Sequence, residues 1–296
     1  MKNNDIIDFQ EKFTKDFIAW SNKHPELAED EQALLDAAVK AQIKWYASKK
    51  NWLNGISPNE YFYNINDAKT YVSLLIKYIE NDIYIPDPLI ECLTEGDDET
   101  YNLFVNILNT DSSPDIEDDN LNELKARIIE LITEMRRDHP YSRYISILLS
   151  INEPGRLLEA VSCALEEAPN QKYIKELLLN AYPVSEGFSR MAVLDILTAL
   201  PDDDMKTADL VLAELTELNG GIELGVLSCY EATLKDERAL SLLKEYISAD
   251  DIDYFTYSQL RYAIEAITGE ELPEKDFSGD SDYDKIANLK EDEIFG

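Results

Sequence analysis

The 296-residue chain has little of what interrupts helices, with only 10 glycines and 11 prolines. These residues fall between segments in which apolar side chains recur at the three- and four-residue spacing of an α-helix. Extended runs of alternating apolar and polar residues, typical of half-buried strands, are absent from the sequence. The sequence therefore predicts an all-α fold of roughly a dozen helices.

Segments that would direct the chain into a membrane are also missing. The first residues, MKNNDIIDFQEKF, carry acidic side chains where a secretory leader needs an uninterrupted apolar stretch. No run approaches the roughly 18 apolar residues of a membrane-spanning helix. We therefore expect a cytoplasmic protein that has no membrane partner.

Cysteine is scarce, and Cys92, Cys163 and Cys229 lie far apart in the sequence. An odd number of widely spaced cysteines, each in an apolar helical context, favours thiols buried in the fold over disulfides or a catalytic thiol.

Positive charge is in short supply, since 27 Lys and Arg face 60 Asp and Glu and the formal net charge is −33. A field of this sign repels polyanions, so nucleic acid and anionic membranes are unfavourable partners. Basic proteins, cationic segments or divalent cations are favoured instead. Hydrophobic residues make up 45% of the chain, which distinguishes it from a disordered acidic tail.

The motifs of common catalytic and cofactor sites are absent. The sequence has no HExxH or paired-cysteine zinc motif, no serine-hydrolase elbow, no P-loop and no dinucleotide-binding glycine pattern. The two histidines, His24 and His139, each precede a proline, a position typical of helix ends. We therefore predict no enzymatic activity, no catalytic residues, no metal and no cofactor.

One pattern near the C-terminus resembles a calcium loop. Five oxygen-bearing residues follow its spacing of positions one, three, five, nine and twelve: Asp280, Asp282, Asp284, Asn288 and Glu291. Lys285 stands at position six, where the turn needs glycine. In so acidic a chain this spacing arises easily, so we favour a solvated tail over an ion site.

Individual helices can be placed from their charges and caps. The segment AEDEQALLDAAVKAQIKWYASKK starts with an acidic turn and ends in two lysines, as the helix dipole favours. Its apolar residues are predicted to face one side, namely Leu34, Leu35, Ala38, Ile43 and Trp45. In SPNEY, Ser57 as N-cap, Pro58 and Glu60 match a capping box.

The C-terminal half repeats itself. Small residues, each followed directly by Val or Ile, recur at intervals of 32, 33 and 38 residues: Ala160, Ala192, Gly225 and Ala263. A proline follows three of them after nine or ten residues, which ends one helix and can start the next. Each copy is therefore interpreted as a helix pair, whose small residues let the second helices of neighbouring pairs approach closely.

The clearest copy, LKDERALSLLKEYISADDIDYFTYSQLRYAIEAITG at residues 234–269, resembles a HEAT-like repeat of the short, phycobilisome-lyase type. Arg261 stands where that family has an arginine opening the second helix, and Arg190 has the equivalent place in an earlier copy. Leu158 and Glu223 replace the arginine in the other two copies. The resemblance covers about half of the chain and implies an α-α superhelix, a solenoid of stacked antiparallel helix pairs.

The acidic, turn-rich segment NTDSSPDIEDD, at residues 109–119, is the expected domain boundary. We predict a helical N-terminal region at 1–112, which is a cap or a set of degenerate repeats. A HEAT-like repeat region at 113–272 and a loosely held acidic C-terminal tail at 273–296 follow.

Tyrosines close to arginines mark the candidate binding surface, because these residue types dominate the energetics of protein contacts. The predicted protein-binding residues are Arg190, Arg261, Tyr254, Tyr257 and Tyr262. The alternative for the tyrosines is packing at helix ends, with the ring buried and the hydroxyl in water.

Together these patterns favour a non-catalytic protein-protein interaction scaffold whose acidic field attracts a basic protein or peptide. A more specific alternative is an immunity or inhibitor protein that masks a basic toxin or nuclease. Some relatives in the HEAT-like superfamily are lyases or DNA-base glycosylases, but the net charge of −33 opposes a DNA substrate.

Overall fold

The computed structural model describes residues 6–25, 30–112, 116–218 and 223–285. These residues confirm the all-α prediction, because they contain helices and no β-strand. Their α-helices are α1 (Phe9–Ser21), α2 (Glu31–Ala47), α3 (Pro58–Tyr63), α4 (Ala68–Glu80), α5 (Asp87–Thr94), α6 (Asp98–Leu108), α7 (Asp118–Glu134), α8 (Tyr141–Ser150), α9 (Arg156–Glu166), α10 (Gln171–Ala181), α11 (Gly187–Ala199), α12 (Lys206–Glu217), α13 (Leu224–Leu234), α14 (Leu240–Ile247) and α15 (Tyr254–Thr268). Within the described ranges, no helix combines the length and the apolar content needed to cross a membrane.

Acidic residues begin many of these helices. The Asp8 carboxylate accepts a hydrogen bond from the Glu11 backbone N–H at 2.7 Å, and Asp30 accepts one from the Ala33 N–H at 3.0 Å. Helices α4, α6 and α15 are capped in the same way by Asp67, Asp97 and Asp253. The first N–H groups of a helix lack partners within it and attract negative charge, so part of the acidic excess stabilises helix starts.

The predicted capping box at α3 is confirmed. The Glu60 N–H donates to Ser57 Oγ at 3.2 Å, and the Ser57 N–H donates to Glu60 Oε2 at 2.7 Å. Pro58 occupies the first turn, where its missing N–H costs no helical bond.

The chain divides into two compact units. Unit 1 comprises Met1–Arg143 and Gly155–Ala164, and unit 2 comprises Tyr144–Pro154 and Leu165–Gly296. The ranges expected from the sequence, 1–112, 113–272 and 273–296, remain predictions.

Unit 1 is centred on α4, which packs against α5, α6 and α7. Helices α5 and α6 also pack against α7. Its fully buried side chains include Leu75, Tyr78, Leu89, Phe104 and Ile128. Tyr78 also donates its hydroxyl to the carbonyl of Ile7 at 2.9 Å, so the segment before α1 is tied to this core.

In unit 2, helices adjacent in sequence pack as pairs: α10 against α11, α12 against α13, and α14 against α15. Helix α13 also packs against both α11 and α15. The repeat positions Ala192, Gly225 and Ala263 are all buried. A Cβ placed on Gly225 would lie 1.7 Å from Oε1 of Gln259 on α15, so the glycine permits the close contact of α13 with α15. The stacking of such pairs into a superhelix remains a prediction.

A buried ion pair connects α10 to the start of α12. Lys175 is 7% exposed, and its ammonium donates to Asp202, to Asp204 Oδ1 at 2.6 Å and to the Pro201 carbonyl at 3.2 Å. Burial opposes the charged form of Lys175, but the hydrogen bonds to both carboxylates outweigh it and raise its pKa. Asp202 also accepts from the Ala208 N–H at 2.9 Å, so one carboxylate serves both the ion pair and the helix start.

Arg238 makes the corresponding connection one pair later. Its Nη1 lies 2.8 Å from Asp209 Oδ1 on α12, and its Nη2 lies 2.7 Å from Asp236 Oδ2 in the turn before α14. The arginine thus links α12 to the beginning of the next helix pair.

Helix α2 does not bury the side expected from its apolar residues. Trp45 is buried, at 8% exposure, whereas Leu35 is 55% and Ile43 is 67% exposed. The prediction of a single core-facing side is wrong here, because no described residue of α2 is buried ahead of Trp45.

The cysteine prediction is partly confirmed, since none of the three forms a disulfide in the described part of the chain. Cys163 is exposed and Cys92 and Cys229 are half-buried, so the expectation of fully buried thiols is wrong.

The described part of the C-terminal tail, residues 273–285, lies against α15. Phe277 is buried with its ring centroid 5.0 Å from that of Tyr257, and the Tyr257 hydroxyl donates to the Pro273 carbonyl at 2.8 Å. The expectation of a loosely held tail is therefore wrong for these residues, while residues 286–296 lie outside the described part of the chain.

Substitution of Lys175 tests the contribution of the buried ion pair. We expect Lys175→Met to lower the free energy of unfolding by about 2–4 kcal/mol, since it leaves the buried Asp202 carboxylate without its cation. Lys206→Met is the matched control, because Lys206 is 60% exposed in its 2.9 Å pair with Asp204 and should cost less than about 1 kcal/mol. Urea denaturation measures both values, and equal losses would contradict this role of Lys175.

Candidate functional site

Arg190, a predicted binding residue, makes its contacts inside unit 2. Its Nε lies 3.0 Å from Oε1 of the buried Glu214, and its guanidinium lies 4.3 Å from the ring centroid of Tyr182. Tyr182 donates its hydroxyl to the same carboxylate. Burial, followed by the bond to Glu214, raises the pKa of Tyr182, so the phenol stays protonated and keeps donating. Arg190 thus joins α11 to α12 with its charge compensated.

Three of the four predicted residues on α15 contact the segment that follows the helix. Arg261 Nε donates to Glu265 Oε1 at 2.8 Å, and Glu265 also accepts from the Leu272 N–H at 2.8 Å. Tyr257 is buried beneath this segment, and the Tyr254 ring packs edge-on against Phe277 with centroids 5.5 Å apart. These three side chains anchor residues 270–285 to the helix.

The fourth residue, Tyr262, lies on the open side of α15 with Phe255. Tyr262 is 60% and Phe255 is 51% exposed. Seven residues are almost two full helical turns, so both rings belong to one face of the helix. We name these two residues the aromatic face. Phe255 was not among the predicted binding residues, although it belongs to the same aromatic cluster in the sequence and stands seven residues before Tyr262.

Exposed carboxylates precede and follow the helix that carries the aromatic face. Asp250 and Asp251 precede α15, and Glu270 and Glu271 follow it. The helix thus carries two exposed aromatic rings, and exposed acidic residues adjoin it in sequence on both sides, a composition that suits a cationic, partly apolar ligand.

Glu231 on α13 is the most unusual titratable group in unit 2. It is fully buried, and neither carboxylate oxygen has a hydrogen-bond partner in the described part of the chain. Burial, reinforced by the nearby Asp236, raises the pKa of Glu231 to about 8. The group is therefore mostly neutral near pH 7.

Unit 1 contains a pocket of about 510 Å³ that is lined by both polar and apolar side chains, including residues of α4, α5, α7 and α9. Its arginines are occupied by carboxylates, since Arg127 Nη1 lies 2.6 Å and Arg156 Nη2 lies 3.1 Å from Glu130 Oε2. Glu123 also pairs with Arg156. These mutual pairs neutralise the two cations, so the pocket has no free positive charge on these side chains for an anionic ligand.

The calcium-like spacing is used for backbone capping. Asp280 Oδ1 accepts from the Asp282 N–H at 2.9 Å and the Tyr283 N–H at 3.1 Å, while Oδ2 accepts from the Tyr254 N–H at 3.2 Å. Asn288 and Glu291 lie outside the described residues. Where the chain is described, no three His, Cys, Asp or Glu side chains are grouped so as to hold a metal.

Comparisons with known proteins found no relative of this chain. No protein-family model, curated protein or solved structure matches the chain.

The protonated state of the buried Glu231 should be visible in the pH dependence of the protein's stability. Its pKa is raised from 4.5 to about 8 in the fold, so its favourable contribution is complete below pH 4.5 and is lost as the pH rises through about 8. Across this range the protein should lose up to ~4 kcal/mol of unfolding free energy relative to Glu231→Gln, which cannot ionise.

Urea denaturation at several pH values gives this difference directly. Glu217→Gln, which alters an exposed carboxylate on α12, is the control and should reproduce the pH curve of the unaltered protein. Parallel curves for Glu231→Gln and the unaltered protein would disprove the buried, protonated state.

Proposed function

We propose that this protein is a non-catalytic interaction scaffold that binds a basic protein or peptide. The exposed aromatic face of α15, a helix preceded and followed by exposed acidic residues, is the observation that carries the proposal. Tyrosine and phenylalanine rings provide apolar contact area at low entropic cost, and the carboxylates attract and orient a cationic partner.

A HEAT-like arrangement of helix pairs is the architecture we propose for the scaffold. Its support is the pairwise packing of α10 to α15, the contacts of α13 with α11 and α15, and the burial of the small residues Ala192, Gly225 and Ala263. Stacked pairs of this kind present long surfaces to partners, and the aromatic face lies on the final helix of the row.

The contacts of the other predicted residues support a narrower binding site than the sequence indicated. Arg190, Arg261, Tyr254 and Tyr257 each contact neighbours within unit 2, and their side chains hold α11, α12 and the segment after α15 in place. We therefore centre the proposed interface on Tyr262 and Phe255 and assign the other four residues to its support. We also propose a cytoplasmic location, with no cofactor and no nucleic-acid partner.

Inhibition of a basic toxin or nuclease is a specific form of this function. The net charge of −33 and the carboxylates beside the aromatic face favour it, because carboxylates can take the place of substrate phosphates on a cationic active site. Growth rescue when the chain is expressed with such a toxin would support this form, and failure of Phe255→Ala to weaken the rescue would argue against the aromatic face.

Photo-crosslinking tests the interface directly. A photoreactive amino acid in place of Phe255 should capture basic proteins, and the same group in place of Tyr173, an exposed residue on α10, should not. Adding Tyr262→Ala should lower the yield at position 255 by about fivefold or more, as expected for an energetically dominant aromatic contact.

The salt concentration provides a second test of the interface. Raising it from about 0.05 M to about 0.5 M should reduce the yield at position 255, because the partner is attracted by charge. Equal yields at positions 173 and 255, or adducts made up of acidic proteins, would refute the proposed function.

A further inference from the structure

Helix α2 in unit 1 presents an apolar stripe to solvent. Leu35 is 55%, Val39 is 58% and Ile43 is 67% exposed. Their spacing of four residues places them within a sector of roughly 80° along three turns of one side. A continuous row of large aliphatic side chains facing water marks a surface that another element covers. We name Leu35, Val39 and Ile43 the α2 stripe.

The charge of this part of the chain differs sharply from the rest. Residues 30–50 contain four lysines and three acidic residues, against a formal net charge of −33 for the whole chain. A partner of strong charge of either sign therefore gains little electrostatic attraction here. A second copy of this chain meets little repulsion at this helix, whereas its other surfaces are strongly acidic.

The charges of α2 are also ordered along its length. Asp36 in the first half and Lys40 in the second lie on the same flank of the stripe, about 60° and about 100° round the helix from Val39. Lys44 lies about 140° from Val39 and lines a pocket with residues of α1. Two antiparallel copies of such a helix place Asp36 of each near Lys40 of the other, and their dipoles are opposed favourably. In a pairing centred on Val39, Leu35 of each copy faces Ile43 of the other. The helix is thus complementary to itself in both its apolar and its charged residues.

We propose that two copies of this protein associate through antiparallel packing of their α2 helices, with the two Val39 side chains at the symmetry axis. Such an isologous contact buries the same stripe from both subunits and closes after two copies. The contact area of a single exposed helix is at the small end of specific interfaces, so we expect a dissociation constant on the order of micromolar. This inference is independent of the proposed function, which concerns α15 in unit 2.

Sedimentation equilibrium of the full chain over a range of concentrations tests the proposal. The unaltered protein should pass from monomer to dimer, and Val39→Asp should raise the dissociation constant at least about tenfold, because it places two carboxylates at the axis. Val184→Asp is the matched control, since it makes the same substitution at a valine that is 70% exposed in unit 2 and should leave the dimer intact. Circular dichroism verifies that each variant is folded.

Charge reversal distinguishes the antiparallel arrangement from general hydrophobic association. Asp36→Lys and Lys40→Asp should each weaken the dimer about threefold or more, and the double variant should recover the original affinity, because the opposed pairs are restored with exchanged signs. Additive weakening in the double variant would contradict the antiparallel register.

A disulfide provides the positional test. In a Cys163→Ser background, Val39→Cys should form a symmetric intermolecular disulfide under mild oxidation faster than Gln32→Cys, which lies a helical turn beyond the stripe. A protein that is monomeric at all concentrations, or a capture of other proteins alone at position 39, would overturn the proposal. Raising salt should preserve or strengthen this dimer by screening the repulsion between two acidic chains.

Discussion

The packing of unit 2 depends on a steric constraint. Where α13 contacts its neighbouring helices, the side chains must be small. At Gly225 the side chain of Gln259 occupies the space that a Cβ would need, and Ala263 is fully buried on the facing helix. Dispersion forces and the burial of apolar surface act only over short distances. The close approach of α13 and α15, the second helices of their pairs, is therefore what allows them to stabilise each other. The Lys175 and Arg238 pairs can then span from one helix pair to the next.

The large acidic excess has a structural use in addition to the function that we propose for it. Carboxylates cap α1, α2, α4, α6 and α15, and others complete the ion pairs of Lys175, Arg190 and Arg238. Those that remain exposed create the field that favours cationic partners. Glu231 departs from this pattern, because its burial is relieved by protonation and not by a partner.

Local features of the fold were accessible from the sequence, whereas contacts between distant segments were not. Helical spacing, the Ser57 capping box and the small repeat residues depend on neighbours a few positions away, and the structure agrees with each. The burial of Tyr257 depends on Phe277 returning across α15, twenty residues later, which no periodicity reports. The prediction for α2 failed for the same reason. Amphipathic spacing indicates that a helix has an apolar side, but not whether another part of this chain covers that side.

The two exposed apolar surfaces differ in the chemistry that surrounds them, and this difference decides what each can bind. Exposed carboxylates precede and follow the helix of Phe255 and Tyr262 and disfavour association with a second acidic chain, which is why we propose a cationic partner there. On α2 the mixed, ordered charges remove that selection and leave shape and apolar contact as the main determinants. Apolar exposure alone would not separate these cases, because the stripe and the aromatic face have similar exposed fractions. The local sign and order of charge are therefore the basis on which we propose a foreign basic partner for one surface and an identical chain for the other.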